Sequence, residues 1–266
     1  MGLLTLAAAP ATARAQVAVQ DLEVHIPLGR DTLLRSTVIP VKNEEQRAQQ
    51  VRVSIGDWTR DSVGNNVFRE GGTSSASCGT RLRVFPTTFQ VAPGATEFVR
   101  VTYAPTALDE GCWAIVFIET VAPPAPRRDG QGSYVTLEIR TGVKIYVHRE
   151  GATRAGVVEG AEVGMVWRPK APAGSTRDSV RVREAKVLFV NQGTGHLRVK
   201  STMEIRDQQA RLLKTVEGPE APMTPGSARS ISLRIPELGP GDYVAVILLD
   251  YGGDEIAAAQ LEFRVP

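Results

Sequence analysis

The sequence predicts an all-β chain of two β-sandwich domains in tandem. Apolar residues come in short runs that often alternate with polar ones, as strands with one buried face require. Its 25 Gly and 17 Pro fall between those runs at short spacing, which is how turns separate the strands of a sandwich. No segment holds a helical period. A length of 266 residues suits two domains of ordinary size, and an apolar share of 42% is enough to give each a core.

Met1 to Ala15, MGLLTLAAAPATARA, reads as an export signal. Its apolar stretch is about ten residues, half of the roughly twenty that a membrane span needs. It ends in Ala13-Arg14-Ala15, an A-x-A-like cleavage site before Gln16. No Lys or Arg precedes the apolar run. The mature chain is then expected in the periplasm, with no membrane span.

From Val17 the text VAVQDLEVHIPLGR gives a loose alternation that stops at Pro27 and Gly29. LLRSTVIPVKN is a second strand. Val51, Val53 and Ile55 alternate cleanly in a third, followed by a Gly-, Asn- and Ser-rich loop from Asp61 to Ser77. RLRVFP, the turn VAPGA and the strand EFVRVTYAP come next. GCWAIVFIETVAPP is apolar almost throughout, as in a strand covered on both faces. APPAPRRDGQGS is a loop, and YVTLEIRTGVKIYVHRE is a long strand candidate. After His148 the polar, small-residue stretch REGATRAG marks a hinge. A second β series then runs from Val157 to Phe263, with AKVLFVN, HLRVKSTMEIRD, SARSISLRIPE, DYVAVILLDYG and AAQLEFRV as its clearest strands. Asn191-Gln192-Gly193 and Pro225-Gly226 supply turns. The division is 1–15 signal peptide, 16–150 first domain and 151–266 second domain.

Cys78 and Cys112 are the only two cysteines. An oxidising compartment would join them; the alternative is two unpaired buried thiols. A metal site needs more ligands than two separated cysteines provide.

The remaining chemistry is sparse. Lys plus Arg is 31 and Asp plus Glu is 29, a net charge of +2, which argues against a nucleic-acid binder working by bulk electrostatics. The three histidines, His25, His148 and His196, fall at no metal-ligand spacing. There is no G-x-S-x-G elbow and no P-loop. Asp250 to Glu255 has carboxylates that suit Ca²⁺, but a hairpin turn explains it better. Neither an enzyme nor a cofactor is expected.

One stretch carries a family resemblance. From Arg81 to Pro124 the order is Pro86 after a strand, Phe89, the turn Pro93-Gly94, Val99-Arg100-Val101, the apolar strand Trp113 to Ile118, and Pro123-Pro124. In this order and spacing the chain resembles the PapD-like periplasmic chaperones of pilus and fimbrial assembly, over roughly residues 17 to 150. The resemblance implies two immunoglobulin-like domains. It also implies a function: lending a strand to a pilin subunit whose own sandwich lacks its last one. The donor residues that fit are Val135, Leu137 and Ile139, on one face at i, i+2 and i+4; the alternative is that they fill this domain's own core. Lys144 falls where the family's Lys anchors the client's C-terminal carboxylate. The family's first-strand Arg is replaced by Val24, and neither Arg30 nor Arg35 matches it. The implied partners are a pilin-like client and an outer-membrane usher, with a self-capping homodimer in the free state. The competing expectation is a non-catalytic envelope or cell-surface binding and adhesion module built from the same two domains.

Overall fold

Val17 and Val19 are odd-numbered, whereas Ile26 and Leu28, both buried, are even-numbered. A single strand cannot point both sets at one core, because its side chains alternate. The computed structural model resolves this by splitting the segment into β1 (Val17–Val19) and β2 (Glu23–Leu28), which join different sheets. The structure describes residues 17–29, 31–106, 111–121, 138–169 and 179–266. The segment 1–15 and the residues Val135 and Leu137 lie outside these.

The chain divides into two compact units. One runs to Asp57 and resumes from Glu70 to Val147; the other comprises Trp58–Arg69 and His148–Pro266. The first unit is built from β3 (Arg35–Asn43), β4 (Gln49–Arg60) as far as Asp57, β6 (Leu82–Phe85), β7 (Thr88–Val91), β8 (Thr96–Tyr103), β9 (Gly111–Val121) and β10 (Arg140–Arg149) as far as Val147, besides β1 and β2. One sheet has the order β1-β3-β8-β6. The other has the order β2-β10-β9-β4-β5, with β7 also on β4. Here β5 (Asn66–Glu70) pairs with the far part of β4 and lies in the stretch expected to be loop. All five of its residues are exposed, so it has no buried face to print an alternation.

The two sheets share one core. Ile39, Val41, Val99 and Val101 come from the first; Val51, Val53, Val116, Ile118, Val143 and Ile145 come from the second. Each such side chain contributes about 1.5–3 kcal/mol by leaving water. Every residue from Ala114 to Ile118 is buried, in keeping with the unbroken apolar run of β9.

The second unit repeats the plan. Its strands are β11 (Gly156–Pro169), β12 (Ser179–Asn191), β13 (Leu197–Asp207), β14 (Leu212–Glu217), β15 (Ala221–Met223), β16 (Ala228–Arg234), β17 (Gly241–Asp250) and β18 (Ala257–Val265). They form the sheets β11-β12-β16 and β14-β13-β17-β18, with β15 on β13. Among the described residues there is no helix.

A shared device ties the two units to one architecture. Asn43 ends β3 and Asn191 ends β12, and both side chains are fully buried. The Asn43 amide donates to the carbonyls of Arg47, Val91 and Ala92, and its oxygen accepts the Glu45 N–H at 2.9 Å. The Asn191 amide donates to Gly195 and Thr224, and its oxygen accepts the Gly193 N–H at 3.0 Å. Each backbone carbonyl then holds a Pro-Gly turn: Gly94 donates to Asn43 and Gly226 to Asn191. Both glycines have φ of 70°, a conformation that costs other residues.

Cys78 and Cys112 are joined, with their Cα atoms 5.2 Å apart. The bond pins the 71–81 loop to β9, beside the backbone bonds Cys78 N–H to Trp113 O and Trp113 N–H to Ala76 O. Closing a loop across 34 positions is worth about 3–4 kcal/mol in the chain-entropy model. Reduction, or a paired Cys78→Ser and Cys112→Ser change, is expected to lower the first unit's unfolding free energy by that amount. Denaturant unfolding with and without reductant measures it; an unchanged midpoint would refute it.

The same loop wraps a buried carboxylate. Asp57 accepts the Thr73 and Ser74 N–H groups at 2.8 Å each and the Ser77 hydroxyl. Burial pushes its pKa up, but the hydrogen bonds from Ser77, Ser74, Gly72 and Thr73 together outweigh it and hold the group below its ordinary 3.8. A depressed folded pKa contributes stability that is fully present above the unfolded value, about 3.9, and lost as pH falls through the folded one. Asp57→Asn should therefore be destabilised at pH 7, and its deficit against the parent should shrink below about pH 4. Stability curves at several pH values check this.

Candidate functional site

Strand β10 carries the residues on which the sequence concentrates function. Val143, Ile145 and Val147 are at most 1% exposed and face the core. Ile139 shares their odd parity but is only half-buried. The inward row thus loses cover toward its start, where Val135 and Leu137 lie outside the described residues. Main-chain pairing persists to this point. Thr120 N–H donates to the Ile139 carbonyl at 3.1 Å, and Ile139 N–H donates to Thr120 Oγ1 at 3.3 Å. Thr120 ends the buried part of β9, so Ile139 is held by its backbone at the margin of the sheet.

Further along, β2 lies on the other side of β10, and Lys144 N–H donates to the Leu22 carbonyl at 2.8 Å. The outer face here carries a polar cluster. Lys144, with a side chain 14% exposed, places Nζ 3.9 Å from Glu23 Oε1. Tyr146 OH donates to the same oxygen at 3.4 Å. The His25 ring stacks on Tyr146 with centroids 4.9 Å apart. Val24 turns the other way and packs against the core. β2 thus presents a carboxylate to Lys144. The sequence reading missed Glu23 because register, not composition, puts it opposite Lys144. At 3.9 Å the pair is an ion pair without a short hydrogen bond. A competing carboxylate with better geometry would gain more from this ammonium.

Arg35 is bound within its own loop, to Asp31 Oδ1 at 2.7 Å. Asp250 Oδ1 accepts the Gly252 N–H at 2.9 Å, which is turn chemistry. Among the described residues no three His, Cys, Asp or Glu side chains gather as a metal site.

A second surface lies on the outer face of β3, β8 and β6. Val38, Phe98 and Phe85 are 50%, 57% and 76% exposed. Register sets Val38 and Phe85 on either side of Arg100, with Phe98 opposite Pro40. Apolar side chains grouped on a sheet face are a feature of protein-binding surfaces.

No family model matches the sequence, and no curated protein matches it. Among solved structures the chain is similar to the YadV chaperone, at 12% identity and TM-score 0.47 over 94% of this chain and 100% of that one. It is similar to the class 5 fimbriae chaperone CfaA, at 13% and 0.49 over 94% and 99%. It is also similar to a chain of the Salmonella enterica SafA pilin–SafB chaperone complex, at 14% and 0.45 over 96% and 99%. The fold of this chain, read from its own strands, is two β-sandwich units, each of two sheets.

Proposed function

We propose that the protein is a periplasmic chaperone for pilus, fimbrial or related surface subunits, acting by donor-strand complementation. The observation that carries this is the odd-numbered row that runs into β10 and along it to Val147, apolar except at Thr141. It is buried at Val143, Ile145 and Val147, half-buried at Ile139, and continues in sequence as Leu137 and Val135. A subunit lacking its final strand exposes both an apolar groove and an unpaired edge, each an aggregation hazard. The donated strand supplies main-chain hydrogen bonds to that edge and alternate side chains to its pockets. Burying three such side chains is worth roughly 5–9 kcal/mol before the costs of association. Lys144 receives the subunit's terminal carboxylate in exchange for Glu23. In the free protein a second copy covers the sticky edge, and a client displaces it. An outer-membrane usher is a further partner, and the face bearing Val38, Phe98 and Phe85 offers it a surface.

One observation favours a second reading, a non-catalytic envelope binding module: Lys144 already faces a carboxylate of its own chain. The two readings separate on purification from the periplasm followed by mass spectrometry. A chaperone brings down a pilin-like subunit in equal amount. In that complex Lys144→Ala weakens capture by roughly 1.5–3 kcal/mol, the range for a hydrogen bond to a charged group, and Glu23→Gln strengthens it. Periplasmic protein free of any subunit, with Lys144→Ala inert, would instead favour the binding module.

A further inference from the structure

Two arginines meet in the second unit, far in sequence from the β10 cluster. The turn after β4 is closed by Asp61, whose Oδ1 accepts the N–H groups of Val63, Gly64 and Asn65 at 3.1, 2.6 and 2.8 Å. Its Oδ2 accepts Asn65 Nδ2 at 2.9 Å. The Asn65 side-chain bond, then the backbone bonds against burial, hold this carboxylate below its ordinary range. Asp61 is thus committed to its own turn. Ser230 N–H donates to the Ser62 carbonyl at 2.8 Å, which lays the turn against the start of β16.

That contact sets the Arg229 guanidinium directly on Gly64, with no room for a side chain there. Arg60, at the end of β4, donates from Nη1 to the Gly64 carbonyl at 3.0 Å. Its guanidinium carbon sits 5.7 Å from the centroid of the buried Trp58 ring. Both guanidiniums therefore bear on the same glycine. Arg60 Nε and Arg229 Nη1 are buried with no hydrogen-bond acceptor. Burial, then the charge of Arg60, lower the Arg229 pKa against the pull of Asp61. Buried donors of charged groups are normally satisfied, and those that are not call for an explanation such as a bound ion. Both arginines are only partly buried as residues, so other parts of the two side chains reach the surface while these two nitrogens are buried.

We propose that Arg60 and Arg229 form an oxyanion-binding site that takes a carboxylate or phosphate group between their guanidiniums. The planar fork of arginine matches both anions, and two forks held in place by Gly64 and Trp58 need little further ordering. An anion here offsets the repulsion of two like charges. The site does not depend on the chaperone reading.

The test is titration calorimetry of the full chain at fixed pH and ionic strength, with chloride as the reference salt. The probes are inorganic phosphate and N-acetylglycine, with N-acetylglycinamide as the control lacking a carboxylate. Saturable binding of phosphate or N-acetylglycine, but not of the amide, is expected. Which of the two binds identifies the source of the oxyanion. Arg229→Gln and Arg60→Gln should each weaken binding at least tenfold. Arg60→Lys, which keeps the charge and loses the fork, should fall between them and the parent. In chloride alone Arg229→Gln should melt no lower than the parent, since it removes one of two like charges. The proposal is overturned if neither anion binds saturably, or if the glutamine variants bind as the parent does.

Discussion

Asn43→Ala is expected to destabilise the first unit, and Asn191→Ala the second, by about 3–5 kcal/mol each. The Asn43 side chain donates to three carbonyls and accepts one N–H in a fully buried setting. Asn191 makes three such bonds in an equally buried place. Alanine removes the bonds and leaves backbone groups without partners. A lost hydrogen bond costs about 0.5–1.5 kcal/mol and an orphaned buried group about 1–3. Against a typical domain stability of about 5–15 kcal/mol the loss is large. Asn→Asp should be worse, because an oxygen would then face the carbonyls that the amide nitrogen now serves. Hydrogen exchange followed by mass spectrometry reports each unit separately. The expected result is faster exchange through β3 and β8 for Asn43→Ala, and through β12 and β16 for Asn191→Ala. Loss below about 1 kcal/mol in either would mean that the Pro-Gly turns hold themselves.

Where the sequence was legible, a strand had one wet and one dry face, or two dry ones. Val51 and Val53 of β4, Val99 and Val101 of β8 and the run through β9 are buried where their alternation or continuity places them. The segment from Val17 to Leu28, expected as one loose alternation, is instead two strands in different sheets, and the slip from odd to even apolar positions is the signal that marks the break. What stayed hidden lacked that contrast. The five exposed residues of β5 and the six of β14, all but one exposed, offer no periodicity to find. Asn191 was legible as part of a turn, but not as the donor that reaches Thr224, 33 positions away. Asn43 gave no signal beyond ending a strand. In the candidate site, parity placed Ile139 on one face with Val135 and Leu137, and the structure adds that it is only half-buried. Glu23 needed the pairing of β2 with β10, a long-range fact that no local pattern encodes.

Leu137→Glu and Ile139→Glu are expected to abolish capture of a pilin-like subunit, by at least a hundredfold, and to leave the fold intact. The contrast that makes this informative is built into the same strand. Val143 and Ile145 have no exposure, so glutamate there would be an unpaired charge inside the core and should unfold the first unit. Ile139 is four positions before Val143, with Thr141 between them at the same parity, and is only half-buried. A carboxylate there can turn to water in the free protein. In a complex it would have to enter an apolar pocket of the client without a partner, which costs far more than an ordinary contact gains. Under the proposed function, the odd-numbered row would divide into a part that fills the first unit's own core and a part offered to a client, with the boundary between Ile139 and Val143. Circular dichroism and exchange protection of β3, β8 and β9 report the fold, while pull-down of a periplasmic subunit reports capture. If the free protein is a self-capped dimer, gel filtration should also show the two glutamate variants as monomers. Variants at 137 and 139 that unfold the unit as readily as Val143→Glu would place the whole row in the core and remove the donor strand from this protein.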